Sequence, residues 1–346
     1  MPDILALLVS TYFKKLHNNK GKFTMNRNLS FLAMFLICFL ICDTVQAVVQ
    51  YTITDLGNGI RSRAYSINGS GQVVGDYVSG VTNHAYLWQY GIGMQDLGTL
   101  GGTNSFGFGI NDSGEVVGDA YPANNFNHHA FLKNYSGPMQ DLGTLGGTDS
   151  TGYGINDRGE VVGWSHTTAD ANTHAFLWQN DNGMQDLGTL GGINSFAMDI
   201  NNIGLIVGSS VISDGGFHAF LWQNDSGMQD LGTLGGTMTR SEANAVNYSG
   251  QVVGYCETST LTDQHAFIWQ KSIGMQDLNN LIAADSGWML QIANDINDAG
   301  QIVGYGFNGN GDSHAFLLTP VPEPSIIVFL CSALAGLGWV VLVRRR

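Results

Sequence analysis

The stretch HAFLWQNDNGMQDLGTLGG, residues 174–192, contains the pattern that decides the fold of this chain. Its first part, Phe176-Leu177-Trp178, places three large apolar residues side by side, so a strand formed here is expected to be buried on both faces. A strand with one face in water would alternate apolar and polar residues instead. Asn and Gly then mark a tight turn before a second short segment at Met184–Leu187. The stretch therefore predicts a hairpin in a sheet that packs between two other sheets.

The same pattern recurs along the chain as a repeat. A His-Ala-aromatic triplet occurs six times, at successive steps of 45, 45, 44, 47 and 49 residues. The histidines of the triplets are His84, His129, His174, His218, His265 and His314. The repeated aspartates are Asp55 in a partial N-terminal copy and Asp96, Asp141, Asp186, Asp230 and Asp277 in the Met-Gln-Asp-Leu segments. Each full unit reads as four short strands separated by Gly, Asn and Asp turns, which is the size of one β-propeller blade.

The two ends of the repeat array complement each other. The sixth copy stops after its third strand, at residues 314–318, whereas residues 51–57 read as a fourth strand without the preceding three. We therefore expect an all-β fold, a six-bladed β-propeller of four-stranded repeats over residues 48–320. Its ring would be closed by the N-terminal strand, which removes the exposed sheet edge. An open β-solenoid is the main alternative, and it would not need complementary ends.

The repeat marks also suggest a family. Together with an Asn-x-x-Gly turn followed by an apolar pair and Gly, as at residues 111–118, they resemble the HAF repeat family of extracellular proteins. The resemblance covers about residues 51–318. It implies an extracellular location and no particular activity, because the family is named for its repeat.

The repeated histidines are expected to have a structural role. Equivalent positions on six blades lie too far apart to bind one ion, so no metal is predicted, and no cofactor either. Each His is expected instead to hydrogen-bond the backbone or the Asp of Met-Gln-Asp-Leu and so to hold the strands of one blade together. Residues 308–312 are the nearest candidate for a calcium loop, but they lack the alternating acidic spacing of such loops.

The loops between the second and third strands differ from copy to copy. A constant scaffold with variable loops is typical of a binding face. The candidate binding residues on these loops are Tyr121, Trp164, His166, Tyr255 and Glu257. Nearly every other prominent polar residue recurs in most copies, so no catalytic residue is predicted and the chain is not expected to be an enzyme. The alternative is a polysaccharide-active enzyme that uses the non-repeated Arg240, Glu242 and Glu257.

The repeat region is strongly acidic. Between residues 48 and 320 there are 25 Asp and Glu residues against 6 Lys and Arg. Such a surface repels phosphate backbones, so nucleic acid is not expected as a partner. Cys256 is the only cysteine of this region, so the core must be held by packing and not by a disulfide.

The N-terminus resembles an export signal. Residues 1–47 read as a signal peptide, with Met25 as the natural start, an apolar segment at residues 29–42 and a small-x-small cleavage site for signal peptidase at residues 45–47. An uncleaved signal anchor is the alternative.

The C-terminus carries a three-part pattern over residues 321–346. The apolar run 326–343 is long enough to cross a bilayer. It follows Val321, Pro322, Glu323, Pro324 and Ser325 and precedes Arg344, Arg345 and Arg346. This arrangement resembles the PEP-CTERM sorting signal, which implies recognition by an exosortase-type transpeptidase in a Gram-negative envelope. It also implies a transient inner-membrane anchor and a final place at the cell surface or in the extracellular matrix, often alongside exopolysaccharide. A plain membrane anchor is the alternative.

Together these patterns predict an exported surface or matrix protein that binds polysaccharide or a protein partner through its variable loops. A purely structural envelope protein is the alternative.

Overall fold

The computed structural model describes residues 61–321, apart from 135–136, 236–239 and 259–263. The predicted signal peptide, the strand at 51–57 with Asp55, the Pro-Glu-Pro-Ser motif at 322–325, the apolar run 326–343 and the three terminal arginines lie outside the described residues. The predicted ring closure by the N-terminal strand therefore lies outside them too. Within the described part of the chain, no helix is both long and apolar enough to span a membrane.

The described chain forms strands that follow one another in antiparallel meanders, with two short 3-10 helices, Thr168–Asp170 and Leu278–Asn280. The first three meanders are β1 Ser62–Ile67, β2 Val73–Ser79, β3 Thr82–Gln89 and β4 Gly93–Asp96; β5 Gly101–Ile110, β6 Val116–Pro122, β7 His129–Lys133 and β8 Met139–Asp141; and β9 Gly146–Ile155, β10 Val161–Thr167, β11 Thr173–Gln179 and β12 Gly183–Asp186. The next three are β13 Gly191–Ile200, β14 Ile206–Ile212, β15 Phe217–Gln223 and β16 Gly227–Asp230; β17 Ser241–Val246, β18 Val252–Glu257, β19 Gln264–Gln270 and β20 Gly274–Asp277; and β21 Met289–Ile296, β22 Ile302–Phe307 and β23 Ser313–Leu318.

The turn between the first two strands of each meander is built by its asparagine. In the second meander the Asn111 side-chain oxygen accepts from the Glu115 N–H at 2.9 Å, and the Gly114 N–H donates to the Asn111 carbonyl at 3.0 Å. Gly114 has φ of +77°, a conformation that a side chain would strain. The Asn-x-x-Gly pattern is therefore fully explained by turn chemistry.

The strands form five hydrogen-bonded sheets, and four of these have the four or more strands of a propeller blade. The third and fourth meanders are joined into one eight-stranded sheet by a single parallel pairing between Thr173 and Asn194, and the last sheet has three strands. The all-β, propeller-like class predicted from the sequence is confirmed. The predicted count of six separate four-stranded blades is wrong, because one strand pair links two meanders and the last meander lacks a fourth strand in the described chain.

The core lies between successive meanders. Phe176 and Trp178 pack with Val117 and Val161 toward the second meander, whereas Leu177 packs with Ile206 toward the fourth. Phe176 has 0% of its surface exposed. The prediction of burial on both faces of this strand is thus confirmed. Burying each such side chain contributes about 1.5–3 kcal/mol, so these interfaces carry most of the stability that holds one meander to the next.

The glycine after the paired apolar residues of each second strand allows the first and second strands to approach closely. At Gly163 an added Cβ would lie 1.9 Å from the backbone oxygen of Thr151, which no side chain can occupy.

Candidate binding site

The repeated His and Asp side chains meet within each of the first five meanders. The His Nδ1 lies 2.7–2.8 Å from an Asp carboxylate oxygen in the pairs His84–Asp96, His129–Asp141, His174–Asp186, His218–Asp230 and His265–Asp277. This is the expected hydrogen bond, and it ties the third strand to the end of the fourth. His314 is exposed, because the last meander has no fourth strand among the described residues.

The second meander shows how this pair is balanced electrostatically. Burial acts to raise the pKa of Asp141, but hydrogen bonds from His129 and from the Gly143 N–H outweigh it and hold the pKa below its usual range. The same bond to Asp141 raises the pKa of His129 against the opposing effect of burial. The pair therefore acts as a structural clamp, in which the hydrogen bond between His129 and Asp141 occupies the Nδ1 atom of the one and the carboxylate of the other.

No group of three metal-binding side chains occurs among the described residues. The calcium candidate at 308–312 is a turn in which the Asn308 side-chain oxygen accepts from the N–H groups of Asn310 and Asp312, at 2.9 and 3.1 Å. That oxygen therefore faces its own backbone, as in the other Asn turns.

A row of rings crosses the second, third and fourth meanders. We call it the aromatic row; its members are Tyr121, His128, Trp164, His166, Phe196 and Phe217. Neighbouring ring centroids lie 5.7–6.4 Å apart from Tyr121 through His128, Trp164 and Phe196 to Phe217, and the His166 ring lies beside the row, 5.4 Å from Trp164. All six side chains are partly exposed. Their centroid separations are those of favourable aromatic pairs.

Carboxylates surround the first half of the row. His128 Nδ1 lies 3.1 Å from Asp149 Oδ1, and His166 Nδ1 lies 3.5 Å from both Asp149 Oδ2 and Asp170 Oδ1. Burial lowers the pKa of His128, which favours the neutral ring. Burial also acts to raise the pKa of Asp149, but hydrogen bonds from the backbone N–H of His128 and from the Thr148 hydroxyl hold that pKa below its usual value. The Asp149 carboxylate is therefore ionised at neutral pH.

The charged side chain of Arg240 lies next to Phe217, at the end of the aromatic row. The Arg240 guanidinium carbon lies 5.0 Å above the Phe217 ring, within the range of a cation–π contact. Arg240 Nη2 also lies 2.8 Å from Glu242 Oε2, which accepts a further hydrogen bond from the Tyr255 hydroxyl at 3.0 Å. The Glu257 N–H donates to the Arg240 carbonyl at 2.7 Å.

Asp119, in β6 beside this site, is an unusual carboxyl. It is 7% exposed, and burial, with a smaller contribution from Asp149, raises its pKa to about 7. It occupies the strand position that Trp164 holds in the next meander.

The structure brings together the residues that the sequence predicted singly, but it places them in the second strands β6, β10 and β18 and not on the loops where they were predicted. Tyr121, Trp164 and His166 belong to the aromatic row, and Tyr255 and Glu257 adjoin Arg240 at its end. Sequence reasoning missed His128, Phe196, Phe217 and Asp149. A signal existed for two of these, because the residue just before each repeat His differs from copy to copy, and it is His128 in one and Phe217 in another.

A shallow groove lies at the opposite ends of the strands, between the fourth and fifth meanders. It is lined by residues of strand ends and turns, among them Gln223, Gln251, Trp269 and Lys271. Lys271 is its only charged side chain. The aromatic row is therefore the better candidate for a binding site.

The comparisons with known proteins leave the function open. A family model described as "Protein of unknown function (DUF3466)" matches residues 191–314. None of the curated proteins matches the chain. The chain is similar to TolB from Acinetobacter baumannii, with 14% identity and a TM-score of 0.46 over 61% of this chain and 52% of that one, about half its length.

Two further solved structures are similar at the same low level. A puromycin-hydrolyzing peptidase from Mycobacterium tuberculosis shares 12% identity, with a TM-score of 0.48 over 77% of this chain and 44% of that one. A gluconolactonase from Xanthomonas campestris shares 10% identity, with a TM-score of 0.40 over 75% of this chain and 86% of that one. The class that the strands themselves define is an all-β, propeller-like repeat protein.

Proposed function

We propose that this chain is an exported cell-surface or matrix protein that binds polysaccharide along its aromatic row. The observation that carries the proposal is the continuity of the row, in which Tyr121, His128, Trp164, Phe196 and Phe217 follow one another across neighbouring meanders at ring separations of 5.7–6.4 Å. His166 contacts Trp164 from the side, and Arg240 lies over the Phe217 ring. Aromatic rings offer rigid, amphipathic contact area that suits the apolar faces of sugar rings. An extended row suits a polymer better than a small, enclosed ligand.

The polar groups beside the aromatic row would bind the hydroxyl groups of the sugar through hydrogen bonds. The carboxylates of Asp149, Asp170 and Glu242 can accept hydrogen bonds from sugar hydroxyls, and Arg240 can donate them. Because the acidic groups outnumber the cations here and over the whole repeat region, neutral or amine-bearing sugars fit better than acidic ones.

The cellular part of the proposal rests on the two ends of the sequence. Residues 1–47 support export through signal peptidase, and residues 321–346 support sorting by an exosortase-type transpeptidase to the surface of a Gram-negative cell. Exopolysaccharide of the same cell is the natural candidate ligand, because PEP-CTERM proteins often occur alongside it.

The test is calorimetric titration of the purified protein with oligosaccharides cut from the exopolysaccharide of the host cell. Trp164→Ala and Phe217→Ala should each weaken saturable binding about tenfold or more, which corresponds to roughly 1.4 kcal/mol. Tyr90→Ala is the matched control, since Tyr90 is 84% exposed in a turn at the opposite ends of the strands. Absence of saturable binding, or equal weakening by the control, would reject the proposal.

The enzyme alternative has one specific observation to build on, the Arg240–Glu242–Tyr255 group. Glu242 accepts from both neighbours through the same oxygen, an arrangement that holds a carboxylate in place. That suits a binding role at least as well as proton transfer. Cleavage of the polysaccharide that disappears in Glu242→Gln would decide for the enzyme.

A further inference from the structure

One carboxyl beside the aromatic row lacks a partner within the described chain. Asp119 is 7% exposed, and no described residue donates a hydrogen bond to its side chain or acts as its counter-ion. A buried carboxyl without a donor costs free energy, and buried polar groups of folded proteins are usually paired.

The neighbours of Asp119 in its own sheet explain why it has no donor. It lies between Phe106 on β5 and Ala130 on β7. Neither of these side chains carries a hydrogen-bond donor. The strands that hold Asp119 in place therefore do not provide its partner.

The same strand position is treated differently in the third and fifth meanders. Trp164 and Tyr255 also lie opposite the repeat Ala of their meanders. The Trp164 indole N–H donates to the Tyr153 hydroxyl at 3.3 Å, and the Tyr255 hydroxyl donates to Glu242 at 3.0 Å. In these two meanders the first strand supplies the polar partner that Asp119 lacks.

The side chain of Asp119 lies on the face that carries the first rings of the aromatic row. Asp119 and Tyr121 are two residues apart on β6, so their side chains point to the same side of the strand. Val117 on that side packs in one cluster with Val161 of the third meander. The Tyr121 ring lies 5.7 Å from His128. The unpaired carboxyl is therefore turned toward the third meander, beside the first two rings of the row.

The charges around this carboxyl are mainly negative. Asp149 on β9 acts on Asp119 electrostatically, and hydrogen bonds keep its own pKa below the usual value. Asp170 lies 3.5 Å from His166 Nδ1. Burial lowers the pKa of His128, so that ring is neutral at pH 7 and does not offset these carboxylates. This half of the row therefore favours a cationic ligand group.

We propose that Asp119 binds the protonated amino group of an amine-bearing sugar residue, while the neighbouring rings of the aromatic row contact the sugar ring. This inference rests on the proposed function and names the class of sugar that the row binds. A primary ammonium group supplies the donors that Asp119 lacks, and aromatic faces attract the same positive charge. A sugar hydroxyl can donate as well, but it leaves the negative charge of the carboxylates uncompensated.

An ammonium group at this place also favours the ionised form of Asp119. Burial raises the pKa of this carboxyl to about 7 in the free protein, and a nearby positive charge acts in the opposite direction. The electrostatics of the site and its missing donor thus point to the same ligand group.

The test compares two oligosaccharides of the same length by calorimetric titration of the purified protein at neutral pH. One is built of glucosamine and the other of N-acetylglucosamine, in which the acetyl group removes the positive charge. The glucosamine oligomer should bind about tenfold more tightly or better, because a hydrogen bond to a charged group is worth roughly that factor. Asp119→Asn should bring the ratio of the two affinities close to one.

The matched control is Asp225→Asn. It removes the same charge from an exposed turn at the opposite ends of the strands, so it should keep the ratio of the wild-type protein. Asp119→Asn preserves the size of the side chain and removes a buried charge, so it is expected to fold, which circular dichroism checks. Oligolysine should not compete with the glucosamine oligomer, because it carries amines without a sugar ring.

The outcomes separate this inference from the proposed function. Equal affinity of the wild-type protein for both oligomers, or binding of the host oligosaccharides but of neither oligomer, would overturn the inference alone. Binding of none of these sugars would reject the proposed function and the inference with it. An unchanged ratio in Asp119→Asn, an equal loss in Asp225→Asn, or competition by oligolysine would also overturn the inference.

Discussion

Replacement of Phe176 by Ala tests directly whether packing between meanders holds the fold. Phe176 is fully buried in the cluster shared by the second and third meanders, where it contacts Val117 and Val161 among others. Truncating a buried Phe removes its transfer free energy and leaves a cavity, which together cost about 3–5 kcal/mol. The surrounding strands have little freedom to collapse into that cavity, because Gly163 already brings the Thr151 backbone into contact.

The assay is urea unfolding followed by circular dichroism. In an array of repeats the stability is close to a sum of unit and neighbour terms, so the loss at one interface should appear in the free energy of unfolding. Phe126→Ala is the control of the same residue type, since Phe126 is 88% exposed in a loop, and it should change the stability by less than about 0.5 kcal/mol. A loss below about 1 kcal/mol in Phe176→Ala would refute the reasoning that inter-meander burial dominates stability.

Two further predictions concern single positions. Asp119→Asn should stabilise the protein by roughly 2–4 kcal/mol at pH 8 and by little at pH 4. The reason is that the folded-state pKa of Asp119 is raised to about 7, so the wild-type chain loses stability as pH rises from the ordinary Asp value to that pKa. Urea unfolding at both pH values measures this, and an equal change at pH 4 and pH 8 would contradict it. Gly163→Ala should prevent normal folding or cost more than about 3 kcal/mol, because its Cβ would lie 1.9 Å from the Thr151 oxygen; soluble expression and thermal unfolding near wild-type values would count against this.

The local chemistry of the repeat could be predicted from the sequence because its partners are close along the chain. The Asn turns close over four residues, and the His–Asp bonds join positions twelve residues apart in one meander. The run of Phe176, Leu177 and Trp178 indicated burial on both sides without showing what covers each side. Turn geometry and the strand period are short-range properties, which explains why these predictions hold.

The candidate site could be predicted only in part. Tyr121, Trp164 and His166 stood out as variable residues, but their assignment to loops was wrong, because they lie in the second strands β6 and β10. Phe196 lies in a first strand, and Phe217 lies just before a repeat His. Their rings meet because adjacent meanders pack side by side, and nothing in their sequence spacing shows that contact. The predicted number of sheets was also wrong because of a contact between neighbouring repeats. The pairing of Thr173 with Asn194 joins two meanders into one sheet.

The sequence by itself determined the strands, their turns, the His–Asp clamps and the presence of two apolar faces on each unit, because these follow from residues within one repeat. Only the tertiary structure decided which faces are covered. Val253 and Val303 occupy the same place in the repeat, yet one is 0% and the other 43% exposed, because burial depends on whether another meander follows in space.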